Sequence, residues 1–313
     1  MSPLSECFNM AWNLRIKVPA TSANMGAGFD SLGVALDLYN TIDISTIKSG
    51  LSIYTEGMEG YIPHDGKNLI YRAMERVFDA AGYRPDGIRI VQRSQIPMTR
   101  GLGSSSACII GGMVGANIIA GKPFSYPELL NLAVEMEGHP DNVTPALYGG
   151  LCIAALDQGK AYFKSAKLNP KIRFAVMVPD YFVATKKSRT VLPDQVSRKD
   201  AVFNISRAVL MYAALSAGDM SLLRVASQDR LHQSYRREYI DGMDEIFEKV
   251  YAAGGKCAYL SGSGPTILAV LDGGYQSFRV EMEDFFRKNS HQWSCKLLAP
   301  NNVGTVVKYM KRT

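Results

Sequence analysis

The chain has 313 residues, 47% hydrophobic and 20% charged, a length for one large domain or two moderate ones and a composition that excludes disordered, collagen-like and coiled-coil proteins. Thirty-five Lys and Arg against 29 Asp and Glu give a net charge of +6. The basic residues are scattered, so a nucleic-acid partner is not implied, although a modest positive charge favours anionic ligands. The five cysteines form no C-x-x-C pair and the four histidines show no H-x-x-H or H-E-x-x-H spacing, which argues against zinc or a disulfide framework and leaves oxygen donors for any metal. The longest apolar run, residues 107–121, is short for a membrane span and broken by glycines, and residues 1–12 lack a signal-peptide pattern, so a cytoplasmic protein is expected.

In chain order, Leu14, Ile16 and Val18 alternate with Arg15 and Lys17 as a first strand, and residues 39–47 and 51–54 flank a Ser49-Gly50 turn as an antiparallel pair. Ile70, Met74, Val77 and Phe78 give an amphipathic helix over 68–81, ended by Gly82, with a strand at 88–91 after it. A small-residue helix spans 104–120. Ser125 and Glu128 form a capping-box pattern for the next helix, which stops at Gly138. Strands are expected at 151–156, 174–178, 257–260, 267–270 and 303–308, and helices at 200–217, 243–253 and near 278–286. The least periodic stretch, 158–171, places a domain boundary near 168. This pattern favours α+β over a regular βαβ repeat.

Three segments carry chemistry. Pro97-Met98-Thr99-Arg100-Gly101-Leu102-Gly103-Ser104-Ser105-Ser106-Ala107 is a glycine-rich turn entering a helix, where unpaired N–H groups and the helix dipole suit phosphate oxygens. It has neither Walker A nor G-x-G-x-x-G spacing, and a serine-capped helix with turn glycines explains it equally well. Residues 19–30, PATSANMGAGFD, read alone as a surface loop rich in turn formers. Ser261-Gly262-Ser263-Gly264-Pro265-Thr266 reads alone as a tight hairpin.

Taken together, PATSANMGAGFD, PMTRGLGSSSA and SGSGPT resemble the three motifs of the GHMP kinases. Glu137-Gly138-His139-Pro140-Asp141-Asn142-Val143, Thr185-Lys186-Lys187-Ser188-Arg189 and Gln233-Ser234-Tyr235-Arg236 narrow the resemblance to the homoserine-phosphorylating members. It runs from about Leu14 to the C-terminus. The resemblance implies an N-terminal ribosomal-protein-S5-domain-2-like ATP-binding domain (13–168) and a C-terminal ferredoxin-like domain (169–313), after an extension (1–12). It also implies phosphoryl transfer from ATP, with Mg²⁺, to the hydroxyl of L-homoserine in threonine biosynthesis. The expected partners are these small molecules and a second copy of the chain, with no nucleic acid or membrane.

By the same resemblance, Pro97, Arg100, Gly101, Leu102, Gly103, Ser104, Ser105, Ser106 and Ala107 bind ATP, with Gly101, Gly103, Ser104, Ser105 and Ser106 cradling its phosphates. Asn68 contacts the adenine or is simply a helix N-cap. Glu137, with Ser105, holds Mg²⁺, a cation that takes one or two carboxylate or hydroxyl oxygens plus phosphate and water. Arg189 and Arg236 bind the carboxylate of homoserine, where planar guanidinium forks suit bidentate contact. Asn24 and Asp30 face its amino and hydroxyl groups, with Thr185, His139 and Gly264 nearby; His139 has a structural alternative. The catalytic set is Glu137, Asn142, Asp141 and Arg189. Related kinases carry an aspartate where Asn142 aligns, so either no strong base exists or Asp141 serves as one. Two departures stand out: Ser234 replaces a common proline, and Met25 and Ala27 vary the first loop. The rivals are a mevalonate-type kinase, disfavoured by two arginines with Asp30, and a ligand sensor without turnover, disfavoured by the intact site chemistry.

Overall fold

The structure, a computed structural model, describes residues 12–57, 60–181, 183, 185–289 and 292–310, with the backbone alone at 185–187. The expected extension 1–12 lies outside these residues apart from Trp12.

The first half of the chain forms β1 (Asn13–Ala23), β2 (Leu32–Thr46), β3 (Gly50–Glu56), α1 (Leu69–Ala81), β4 (Gly87–Ser94), α2 (Ser104–Ile119), α3 (Tyr126–Glu137), α4 (Pro140–Tyr148), β5 (Leu151–Asp157) and β6 (Lys160–Ala166). Leu14, Ile16 and Val18 of β1 are buried while Arg15 and Lys17 face outward, as their alternation requires. Asn68 caps α1 through Oδ1, which accepts from the N–H of Ile70 and Tyr71, and Gly82 closes it in the left-handed region. The buried face is Ile70, Ala73, Met74, Val77 and Phe78, each large side chain contributing about 1.5–3 kcal/mol. α2 is buried nearly all round, between the sheet and α1, as its uninterrupted apolar character demands.

β2 and β3 do not form the expected antiparallel pair. β4 lies between them, antiparallel to β2 and parallel to β3, because α1 supplies the crossover that a parallel pair needs. The least periodic stretch, 158–171, contains a strand, and the expected boundary near 168 falls just after it. Gln158 and Gly159, both in the left-handed region (φ 48° and 78°), make a two-residue hairpin turn that pairs β6 with β5. β6 is an edge strand with Lys160, Tyr162 and Lys164 exposed, so its apolar signal is weak.

The second half forms β7 (Arg173–Pro179), α5 (Thr185–Thr190), α6 (Arg198–Ala217), α7 (Leu223–Ala226), α8 (Gln233–Arg236), α9 (Met243–Ala252), β8 (Cys257–Leu260), β9 (Ile267–Leu271), α10 (Tyr275–Lys288), β10 (Trp293–Leu298) and β11 (Val306–Tyr309). The sheet order β10-β7-β9-β8, with every pair antiparallel, is the ferredoxin-like arrangement. One face of this sheet (Phe174, Val176, Tyr259, Leu268) joins the core of the first half, and the other (Met177, Leu260, Ile267) is covered by α9 and α10. β11 returns to pair with β1, so the segment 169–313 also lends one strand to the first sheet, whose order is β11-β1-β2-β4-β3. The architecture is α+β, with the site between its two halves.

Candidate active site

The three glycine and serine loops interlock. Ser22 Oγ and Ser261 Oγ lie 2.8 Å apart, Ser261 Oγ donates to the Gly101 carbonyl at 2.6 Å, and the Gly262 N–H donates to the Ala23 carbonyl at 3.0 Å. Asn24, itself left-handed (φ 68°), donates from Nδ2 to the Gly262 carbonyl at 2.8 Å and accepts the Asp30 N–H at 2.9 Å. This clasp sets Asp30 against the second half of the molecule. The 261–266 segment is the β8–β9 hairpin its sequence suggests and also a wall of the site.

A cavity of about 320 Å³ opens beside the clasp. At its floor α2 begins at Gly103 with no side-chain cap, whereas α1, α3 and α6 are capped by Asn68, Ser125 and Ser197. The first-turn N–H groups of α2 therefore remain for a ligand, and the dipole makes it an anionic one. Two glycines make the close approach possible. Gly103 has φ 68°, and a Cβ there would lie 1.9 Å from Thr21 Oγ1; Gly101 has φ 72°, and a Cβ would lie 2.2 Å from the Ser261 carbonyl oxygen.

Glu137, the last residue of α3, accepts hydrogen bonds at Oε1 from Ser105 Oγ (2.8 Å) and Ser106 Oγ (2.7 Å). This all-oxygen set beside the α2 N-terminus fits Mg²⁺. His139 and Asp141 follow at the start of α4, Nδ1 to Oδ1 at 2.5 Å. Burial pulls the His139 imidazole down, but its hydrogen bond to Asp141 and the charges of Asp141, Asp30 and Glu137 outweigh this and hold its pKa above the ordinary value. Asn142 Oδ1 accepts from Thr21 Oγ1 at 2.7 Å.

Arg189 meets Asp30 with both guanidinium ends, at 2.8 and 3.1 Å, and this bond raises its pKa above the usual arginine value. Arg236 is 2% exposed. Burial, together with Arg189, lowers its pKa to about 10, still charged at neutral pH.

Among the expected residues, Asn24, Asp30, Asn68, Arg100, Gly101, Leu102, Gly103, Ser104, Ser105, Glu137, His139, Asp141, Asn142, Arg189 and Arg236 line the cavity. Several do so with their polar groups already engaged. Asn68 caps α1 and donates to the Pro63 carbonyl, so it shapes the wall formed by Tyr61, Ile62 and Pro63. Arg100 donates to the Pro179 and Asp180 carbonyls and ties the glycine loop to the end of β7. Pro97, Ser106, Ala107 and Gly264 are not on the wall. Ser106 acts through Glu137, and Gly264 packs against the Leu260 and Ile240 side chains. The side chain of Thr185 lies outside the described residues.

Sequence reasoning missed Thr21, which stands in the first motif and acts from behind the wall through Asn142, and missed Tyr61, Ile62, Pro63, Gln92 and Cys108 on the wall itself. Gln92 and Cys108 bond one another in the wall, and burial pushes the Cys108 thiol up to about 11, so it stays neutral. Neither residue carries a local signal; the sheet and α2 bring them together.

Residues 68–150 match the GHMP kinases N terminal domain, and residues 211–280 match the GHMP kinases C terminal domain. A homoserine kinase of Clostridium beijerinckii is 45% identical over 296 residues, 94% of this chain and 98% of that one. Another, of Caldicellulosiruptor bescii, is 43% identical over 96% and 98% of the two chains. The crystal structure of homoserine kinase from Cytophaga hutchinsonii, 28% identical, aligns with a TM-score of 0.87 over 96% of this chain and 98% of that one. By that identity along nearly its whole length, and by both domain matches, the chain belongs to the homoserine kinase family of the GHMP kinases.

Proposed function

We propose that the protein transfers the γ-phosphoryl group of ATP to the hydroxyl of L-homoserine, giving ADP and the O-phospho-L-homoserine from which threonine is made. The observation that carries the reading is one cavity combining the uncapped start of α2 and Glu137 with two arginines and Asp30 on its other walls. The first pair suits a nucleotide triphosphate. The second suits a zwitterion.

In this reading the N–H groups of Ser104 and Ser105 and the α2 dipole hold the phosphates, and the wall of Tyr61, Ile62 and Pro63 receives the base. Glu137 and Ser105 would hold Mg²⁺, which neutralises phosphate charge when bound. Arg236 and Arg189 take the homoserine carboxylate and Asp30 its ammonium group. Asn142, oriented by Thr21, aims the hydroxyl at the γ-phosphorus. The new bond forms between that oxygen and phosphorus while the bond to the β-bridging oxygen breaks. A loose transition state needs no early deprotonation. The Asn142 amide cannot accept the proton, whereas the neighbouring Asp141 carboxylate lines the cavity and receives it late.

The test is ADP release from Mg-ATP by the purified protein with L-homoserine, mevalonate, galactose or L-threonine offered separately. Release with homoserine alone, and O-phosphohomoserine as product, is expected. Release with another acceptor discards the assignment of Arg189 and Arg236, and silence with all four despite ATP binding points to a sensor.

A further inference from the structure

His232 is fully buried just ahead of α8. Its Nε2 is 2.7 Å from the Gly26 carbonyl and its Nδ1 is 3.1 Å from Arg236 Nη1. A carbonyl can only accept and a guanidinium can only donate, so the ring is the neutral tautomer with its proton on Nε2. Burial pulls the imidazole below its ordinary pKa; Arg236 acts in the same direction, against the charges of Asp229 and Asp30. The turn that presents His232 is itself fixed. The buried Asp229 carboxylate accepts the N–H groups of Leu231, His232 and Gln233 and the Asn204 amide.

Arg236 has two further protein acceptors, the Ser188 carbonyl at 3.1 Å and the Gly262 carbonyl at 3.0 Å. Phe29 completes the assembly. Its ring stacks on His232 with centroids 5.3 Å apart and lies 5.4 Å from the Arg236 guanidinium and 5.6 Å from that of Arg189. His232 thus joins the loop that carries Asp30 to an arginine of the opposite half.

We propose that His232 is a positioning residue for the amino-acid substrate, holding Arg236 at a set distance from the 24–30 loop so that carboxylate and ammonium contacts form together. This rests on the homoserine reading. An acceptor towards Arg236 and a donor towards Gly26 must sit on opposite sides of one rigid ring, which neutral imidazole provides. Without it Arg236 stays buried with one acceptor fewer, the Gly26 carbonyl is unpaired, and both rearrange. The α2 N-terminus and Glu137 do not bond to His232, so the nucleotide should not sense the change.

The experiment is steady-state kinetics of His232→Leu and His232→Gln, with homoserine and ATP varied in turn. For His232→Leu, the homoserine KM should rise about ten-fold or more while the ATP KM stays within about two-fold. The Gln amide can present both an acceptor and a donor, so His232→Gln should recover most of the loss. Should His232→Leu fail to fold, His232→Asn, too short to span both partners, should show the same split. A homoserine KM within two-fold of the parent, or parallel rises in both KM values, overturns the proposal. A parent enzyme with no homoserine-dependent ADP release overturns the functional reading and this inference with it, whereas an active parent without the split overturns the inference alone.

Discussion

Arg189 and Asp30, 159 residues apart in the chain, meet in a bidentate ion pair at the cavity wall. Each group answers one charge of an amino acid, and here each answers the other. A zwitterion that enters between them replaces both halves of the pair at once. A ligand carrying only one of the two charges breaks the pair and leaves one partner unmatched. Homoserine analogues lacking either the ammonium or the carboxylate group should therefore lose about ten-fold or more in kcat/KM, read from the rate of ADP release. Equal rates for homoserine and either analogue would contradict this.

Arg236→Ala removes a buried guanidinium that bonds to Ser188, His232 and Gly262. The homoserine KM should rise by about 30-fold or more, in the range for truncating a buried charged partner, while the ATP KM changes little. Comparable changes in both KM values would show that the arginine supports the whole cavity rather than the substrate.

Glu137→Gln keeps an oxygen for Ser105 and Ser106 but loses the negative charge. Turnover should fall by about 100-fold or more, with the melting temperature near that of the parent. Near-normal kcat at saturating Mg²⁺ would remove Glu137 from the metal site.

Gly103→Ala places a Cβ 1.9 Å from Thr21 Oγ1 at a left-handed backbone position. The backbone strain alone costs about 1–2 kcal/mol, and relieving the clash displaces Thr21 from Asn142. Thermal melts should shift down and ATP binding, measured by calorimetry, should weaken several-fold. An unchanged variant would mean that the loop has a second conformation.

Away from the site, Asp43 on β2 bonds to Arg15 and Arg93. Burial raises its pKa, but the bonds to the two arginines outweigh this and leave it below the ordinary carboxylate value. A depressed pKa contributes stability above the unfolded value of about 3.9 and loses it as pH falls through the folded one. Asp43→Asn should therefore be about 1 kcal/mol less stable than the parent at neutral pH. The gap should close as the pH falls below the ordinary carboxylate range and through the depressed Asp43 value, measured by urea denaturation at each pH. A gap independent of pH would assign the loss to packing.

Much of the fold was legible where one face of an element is buried and the other wet. The helix from Leu69, the alternation of β1 and the central run of β8 are examples. α4 escaped notice because Pro140, Asp141, Asn142 and Pro145 are turn formers and helix breakers locally. Eight of its nine residues are buried, and tertiary burial overrides those preferences. β10 and β6 lie at the edges of their sheets, with alternate side chains in water.

The amino-acid sequence by itself supplied the chemistry available here: three loops of glycine, serine and asparagine, one of them entering a helix, a carboxylate at the end of α3, and two arginines. Local spacing encodes the turns and helix termini, which involve residues close in the chain, while the roles of Glu137, Arg189 and Arg236 followed from the family resemblance. Only the tertiary structure decided which of them face the cavity and which act from behind it. It assigned Asn68 and Arg100 to holding the walls, set Thr21 on Asn142 and His232 on Arg236, and paired Asp30 with Arg189. Those contacts join residues of distant elements, and the packing of two sheets, not any pattern along one segment, brings them within hydrogen-bond range.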